Sequence, residues 1–369
     1  MKVPRIAFLL VCGALPCTLL HADSFLQTNL VSDISGMAAA TDPHLKDPWG
    51  MSFSATSPIW VSDRMTGVAT VYTGSGTVAP LVVTVPPGTA TTGPTGQVFA
   101  GPTTSFTLNG TPASFIFDTL GGTVDAWNGG SAATVVATTT GARYEGLALA
   151  NNTLYAANFV SGGGINVFNP SYTPVTLSGK FTDPNIPAGY APFNIQNVNG
   201  DLYVEYAKLT AGVPVPLPGG GGYVDVFDTN GNLLQRLVSN GPLNAPWGIT
   251  MAPAGFGSFG NDLLIGNFGN GEINAFNPTT GAFLGTLTDA SGNPLVDSGL
   301  WALDFGNSSA NPDALYFTAG LNSGNDGLFG DVRAVPEPAA FGLAVLGILG
   351  LLGYAGQRQR NLPWTRRSP

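Results

Sequence analysis

The chain has 369 residues, of which 44% are hydrophobic and only 9% charged, with 51 Gly and 29 Pro. So many helix-breaking residues exclude an architecture of long helices. The 21 Phe, 10 Tyr and 6 Trp exclude the aromatic-poor composition of a disordered chain. Residues 23–334 carry seven basic and 21 acidic side chains, a formal charge of −14 that argues against nucleic acid as a partner.

The N terminus begins with the basic segment Met1-Lys2-Val3-Pro4-Arg5. An apolar run from Ile6 to Leu20 follows, and then the small-residue site Leu20-His21-Ala22. This pattern predicts a signal peptide over residues 1–22, cut by signal peptidase after Ala22. Both cysteines, Cys12 and Cys17, lie inside it. The mature body then has no disulfide framework, thiolate metal site or cysteine nucleophile.

One unit recurs through residues 23–334. A glycine opens an alternating apolar run ending in an aromatic: Gly67 to Tyr72, Gly122 to Trp127, Gly164 to Phe168, Gly222 to Phe227, Gly271 to Phe276 and, more weakly, Gly327 to Val332. These glycines are spaced 42 to 58 residues apart. Turn sequences such as Asp228-Thr-Asn-Gly231 follow the runs, as hairpins require. A second element precedes each hairpin. It reads Pro48-Trp49-Gly50, Tyr144-Glu145-Gly146, Pro192-Phe193-Asn194, Pro246-Trp247-Gly248 and Leu300-Trp301-Ala302, each followed by another apolar strand. In the second repeat only Ala113 to Asp118 can be placed. Units of about four short strands predict an all-β, six-bladed β-propeller; a pair of β-sandwiches is the alternative. The last unit lacks an outer strand, and Phe25 to Val31 has strand composition without a partner, so the N-terminal strand is expected to close the last blade. Val85 to Phe99 and Leu209 to Gly222, rich in Pro and Gly, are expected to be loops.

No reaction is legible. One histidine, His44, remains outside the signal, and no Ser-His-Asp set, zinc motif or phosphate loop can be assembled. Trp49, Trp247 and Trp301 share one repeat position, which favours packing between blades over sugar stacking. Glu145, Asn194 and Asp304 stand near the starts of innermost strands and offer the oxygen ligands that calcium prefers. They are therefore candidate metal ligands, with Asp63, Arg64 and Asn267 expected near the same face.

The C terminus reads Val335-Pro336-Glu337-Pro338, then 18 uncharged residues from Ala339 to Gly356, then Arg358, Arg360, Arg366 and Arg367. The apolar run predicts a transmembrane helix at about 339–356, with the arginines as a membrane stop left in the cytoplasm. Motif, helix and arginine cluster resemble the PEP-CTERM sorting signal, a tail also described as an ice-binding protein C-terminal domain although it implies no ice binding. The resemblance implies a sorting tail over residues 335–369 and recognition by an exosortase. It further implies a precursor anchored in the cytoplasmic membrane of a bacterium, delivered to the cell surface or extracellular matrix, with exopolysaccharide as a partner. The body, with Gln27 to Asp33, Asp47-Pro-Trp-Gly50 and Trp60-Val-Ser-Asp63, resembles an uncharacterised family of exported propellers and, more loosely, NHL-type and lactonase-type propellers. These likenesses imply a non-catalytic binding or scaffolding propeller; the alternative is a calcium-dependent lactonase of the gluconolactonase type.

Overall fold

The computed structural model describes residues 24–217 and 219–335. Six antiparallel sheets follow one another in chain order, and each runs outward from a central axis. Blade 1 comprises strands Pro48–Ser52, Ile59–Asp63, Val68–Tyr72 and Val83–Thr84, with Pro48–Ser52 innermost. The innermost strands of blades 2 to 6 are Pro94–Phe99, Tyr144–Ala150, Tyr190–Val198, Pro246–Met251 and Leu300–Phe305. This is a six-bladed β-propeller with almost no helix. Among the described residues no helix is long and apolar enough to cross a membrane. The helix expected at about 339–356 lies outside them, as do Ala22, Pro336, Glu337, Pro338 and the four tail arginines.

The N-terminal strand closes the ring as expected. Ser24–Ser32 pairs antiparallel with Asp326–Val335 as the outer strand of blade 6, with Ser24 opposite Val335 and Ser32 opposite Leu328. Both backbone edges that a linear repeat would leave open are thereby paired. Lys46 reinforces the closure, reaching Asp33 at 2.5 Å and Asp326 at 3.5 Å.

Blade 2 corrects one expectation. The segment Val85 to Phe99 is not all loop, because Pro94–Phe99 is the innermost strand of that blade. Pro94-Thr95-Gly96 is the missing counterpart of Pro48-Trp49-Gly50. The glycine is needed because innermost strands converge at the axis. A Cβ on Gly96 would fall 2.3 Å from the backbone nitrogen of Leu147 in the next blade.

Apolar residues fill the gaps between successive blades, as where Ile116, Val124 and Leu147 meet Leu154 and Phe168 between blades 2 and 3. Burial at such seams contributes roughly 25 cal/mol per Å² and holds the sheets face to face. A separate cluster sits on the axis itself and contains Trp49, Phe193, Trp247 and Trp301.

Candidate functional site

The innermost strands all run in one direction, so the axis has two distinct ends. At the end where they begin, the second position of the recurring strand start is filled by Trp49, Thr95, Glu145, Phe193, Trp247 and Trp301, followed by glycine in four of the six. The three tryptophans are buried, as a packing role requires, but they meet each other on the axis rather than lying between blades. Trp49 stacks on Trp301 with ring centroids 3.5 Å apart, and Trp247 meets Trp301 edge-on at 5.7 Å. Phe268 leans on Trp301 at 4.4 Å. Together they form an aromatic plug across the channel.

Over this plug lies the wide mouth, a cavity of about 480 Å³ whose walls include Asp47, Arg64, Arg143, Phe268 and Trp301. Its polar groups hold each other. Asp47 accepts the indole N–H of Trp49 at 2.8 Å and that of Trp301 at 3.3 Å, and the Arg64 guanidinium donates to the same carboxylate. These bonds fix Asp47 in the left-handed backbone region, at φ 48°, a conformation that costs a non-glycine residue about 1 kcal/mol or more. Arg143 donates from Nε to Glu145 Oε1 at 2.5 Å. Glu145 is fully buried, and burial holds its carboxyl up at about 8 against the opposing pull of Arg143. The rim includes Val213 and Pro214. The segment Leu209 to Gly222, expected as a plain loop, contains a short strand, Val213–Pro214, that folds back on Asp201–Thr210.

At the opposite end the innermost strands finish around the narrow mouth. This is a smaller cavity of about 250 Å³ bordered by Ser52, Phe53, Gln97, Gln196 and Asp304. Gln97 donates to the carbonyls of Gly50 and Trp60, while its Oε1 and the Ser52 hydroxyl are buried without a partner among the described residues. Burial raises the Asp304 carboxyl to about 7, opposed by the Phe305 backbone N–H that it accepts at 2.9 Å.

The three candidate calcium ligands are therefore not gathered. Glu145 and Asn194 lie in adjacent innermost strands: a Cβ on Gly146 would fall 2.0 Å from Asn194 Oδ1, so only glycine fits there. Trp247 ties the two together, donating to the Glu145 carbonyl at 2.9 Å and accepting from Asn194 Nδ2 at 2.6 Å. Asp304 stands three repeat positions beyond the level of Glu145, about 10 Å along a strand, and borders the other mouth. Calcium binds oxygens within about 2.3–2.6 Å, so this set does not fit that ion. Among the described residues no three His, Cys, Asp or Glu side chains form a metal-holding group.

The remaining candidates divide. Arg64 lines the wide mouth, on the side of Glu145 and away from Asp304. Asp63 and Asn267 share that end but serve the fold, Asp63 accepting from Thr70 at 2.7 Å and Asn267 from the Asn244 backbone at 2.9 Å. His44 is half exposed and bonded to Asp42. Asp47 and Arg143 were not foreseen. Their signal is only adjacency, one residue before Pro48-Trp49 and one before Tyr144-Glu145.

No family model matches the chain. The uncharacterized protein R648 of Acanthamoeba polyphaga mimivirus is 33% identical over 325 residues, which cover 82% of this chain and 78% of that protein. The chain belongs to the family of that mimiviral protein. A second relative from the same virus, the uncharacterized protein L690, is 36% identical over 201 residues, 51% of each chain. Among solved structures, a glucose dehydrogenase aligns over 84% of this chain and all of its own, with a TM-score of 0.55 and 11% identity. A gluconolactonase from Xanthomonas campestris covers 79% of this chain and 87% of its own, with a TM-score of 0.51 and 13% identity. At such identities these likenesses concern the propeller fold alone.

Proposed function

We propose that this family member is an exported surface protein whose propeller binds a saccharide at its wide mouth without transforming it. The observation that carries binding is the mouth itself: an open cavity to which the partly buried Phe268 brings an aromatic surface, with hydrogen-bonding groups held rigid around it. Aromatic faces with a few fixed polar groups suit a sugar ring. Catalysis is disfavoured because the acidic groups there, Asp47 and Glu145, are already committed to Arg64 and Arg143. The lactonase alternative loses its ligand set with Asp304 at the far end.

Export and exosortase sorting are inferred from the two ends of the sequence, and the fold is compatible with them. Ser24 pairs with Val335, so both terminal segments join the body at one corner. Phe25 there packs on Phe256, which packs on Phe305 at the narrow-mouth end of blade 6. A tether at that corner leaves the wide mouth facing away from it, towards extracellular matrix and exopolysaccharide. The relatives are viral, so the bacterial origin rests on the terminal motifs.

Deleting residues 336–369 while sparing the closing strand tests the sorting. The protein should move from the cell surface into the medium; undiminished surface retention would count against an exosortase. Co-sedimentation of the full-length protein with exopolysaccharide tests the binding, and failure with neutral and acidic polymers alike would remove it.

A further inference from the structure

We propose that the wide mouth receives a carboxylate-bearing pyranose, the acidic unit of a polysaccharide, with the carboxylate held by the guanidinium groups of Arg143 and Arg64. This rests on the saccharide-binding reading above and narrows it.

The argument starts from unused hydrogen-bonding capacity. Each arginine commits its Nε to a neighbouring carboxylate, Arg64 to Asp47 and Arg143 to Glu145. Arg64 also gives one terminal nitrogen to the Ala90 carbonyl. Among the described residues, neither terminal nitrogen of Arg143 nor the second of Arg64 has an acceptor. Both side chains line the same cavity. A guanidinium already fixed through Nε offers a preorganised donor edge, a geometry that matches a carboxylate better than a single hydroxyl.

Charge distribution points the same way. The body has only seven basic residues against 21 acidic ones, a formal charge of −14, and two of those seven face this cavity against one carboxylate, Asp47. An acidic polymer is repelled by most of the surface and admitted where the arginines stand. Phe268, only partly buried, and the exposed Val213 add apolar surface beside the charged edge, as the ring of a sugar acid needs and a small inorganic anion does not. The volume of about 480 Å³ lies within the range of small-molecule sites.

The test is calorimetric titration of the full-length protein with an oligogalacturonate, a neutral gluco-oligosaccharide of equal length, and acetate, at low and high salt. The oligogalacturonate should bind about tenfold or more tightly than the neutral sugar and weaken as salt rises. Arg143→Gln should lose about tenfold of that affinity. Arg143→Lys, which keeps the charge but not the fork, should bind more weakly than the wild type yet keep its salt dependence. The wild-type comparison decides even if Arg143→Gln fails to fold. Equal affinity for acidic and neutral sugars overturns the carboxylate proposal and leaves saccharide binding standing. Acetate binding as tightly as the oligosaccharide overturns the sugar ring. No binding by either oligosaccharide overturns both.

Discussion

The two mouths of the axial channel are built from the same six strands, yet they solve different problems. At the wide mouth bulky aromatics recur at one repeat position and crowd onto the axis, and the polar groups over them hold one another: Asp47 with Arg64 and two indoles, and Glu145 through Oε1 with Arg143, its Oε2 having no partner among the described residues. At the narrow mouth Phe53 and Phe99 share the lining with Ser52, Gln97, Gln196 and Asp304, and Ser52 Oγ and Gln97 Oε1 have no partner among the described residues. The difference follows from what each end must do. The strands come closest through the repeat Gly50, Gly96, Gly146 and Gly248, each within 2.0–2.4 Å of a neighbour if given a Cβ. Two of the side chains just before those glycines, Trp49 and Trp247, are pressed against each other and Trp301 on the axis. Stability should therefore be concentrated at the wide mouth.

The largest effect expected from this contrast is at Trp301. Trp301→Ala removes the stack on Trp49 and the contact with Phe268, and it strips Asp47 of one indole donor. A loss of about 3–5 kcal/mol is expected, as for large-to-small changes in a core. Phe53→Ala at the other end, where the ring is only partly buried, should cost clearly less. Urea denaturation of the two variants measures both. Equal losses would mean that the plug is not the structural centre of the ring.

Acid should sharpen the picture next. Asp118, Asp125 and Asp225 are fully buried in the blades, and burial lifts their carboxyls to about 7, while Glu145 stands at about 8. Such groups hold protons in the folded protein at pH values where the unfolded chain has released them. Their contribution to stability is full below the ordinary carboxylate pKa and is lost as pH rises through about 7 to 8. Each is worth about 1.4 kcal/mol per pH unit inside its own window, so several kcal/mol are at stake. The melting temperature should rise on going from about pH 8.5 to about pH 5.5. Glu145→Gln should flatten the alkaline end of that profile. A melting temperature that is constant, or that falls on acidification, would show these carboxyls to be better solvated than their burial implies.

Much of this fold was legible because packing demands recur with the repeat. The glycine-led hairpins marked six blades, and the orphan strand composition of Phe25 to Val31 marked the closure. The innermost strand of blade 2 escaped because Thr95 replaces the usual bulky residue in a stretch dominated by Pro, Gly and Thr. Its hydroxyl instead bonds the Tyr144 carbonyl and the Asp118 carboxylate, both at 2.8 Å, a role that no apolar pattern reveals. The site was less legible for a related reason. Asp47 and Arg143 lie just outside the repeating strand, where spacing carries no signal. Asp304 lies inside it, but three positions beyond Glu145, and reading both as near the start of a strand hid the distance between the two mouths.

The smallest expected effect is also the most discriminating for the narrow mouth. The Ser52 hydroxyl is buried and has no partner among the described residues. If only protein surrounds it, the group has lost its water without compensation, which costs about 1–3 kcal/mol. Ser52→Ala would then relieve that cost, so a change between neutral and about 1 kcal/mol of added stability is expected in urea denaturation. A loss above about 1 kcal/mol would instead mean that the hydroxyl holds an ordered water shared with the unpartnered Gln97 Oε1, at a site polar enough to keep it. The narrow mouth would then be a network whose partners water supplies, whereas at the wide mouth Asp47, Arg64, Arg143 and Glu145 Oε1 supply them to one another.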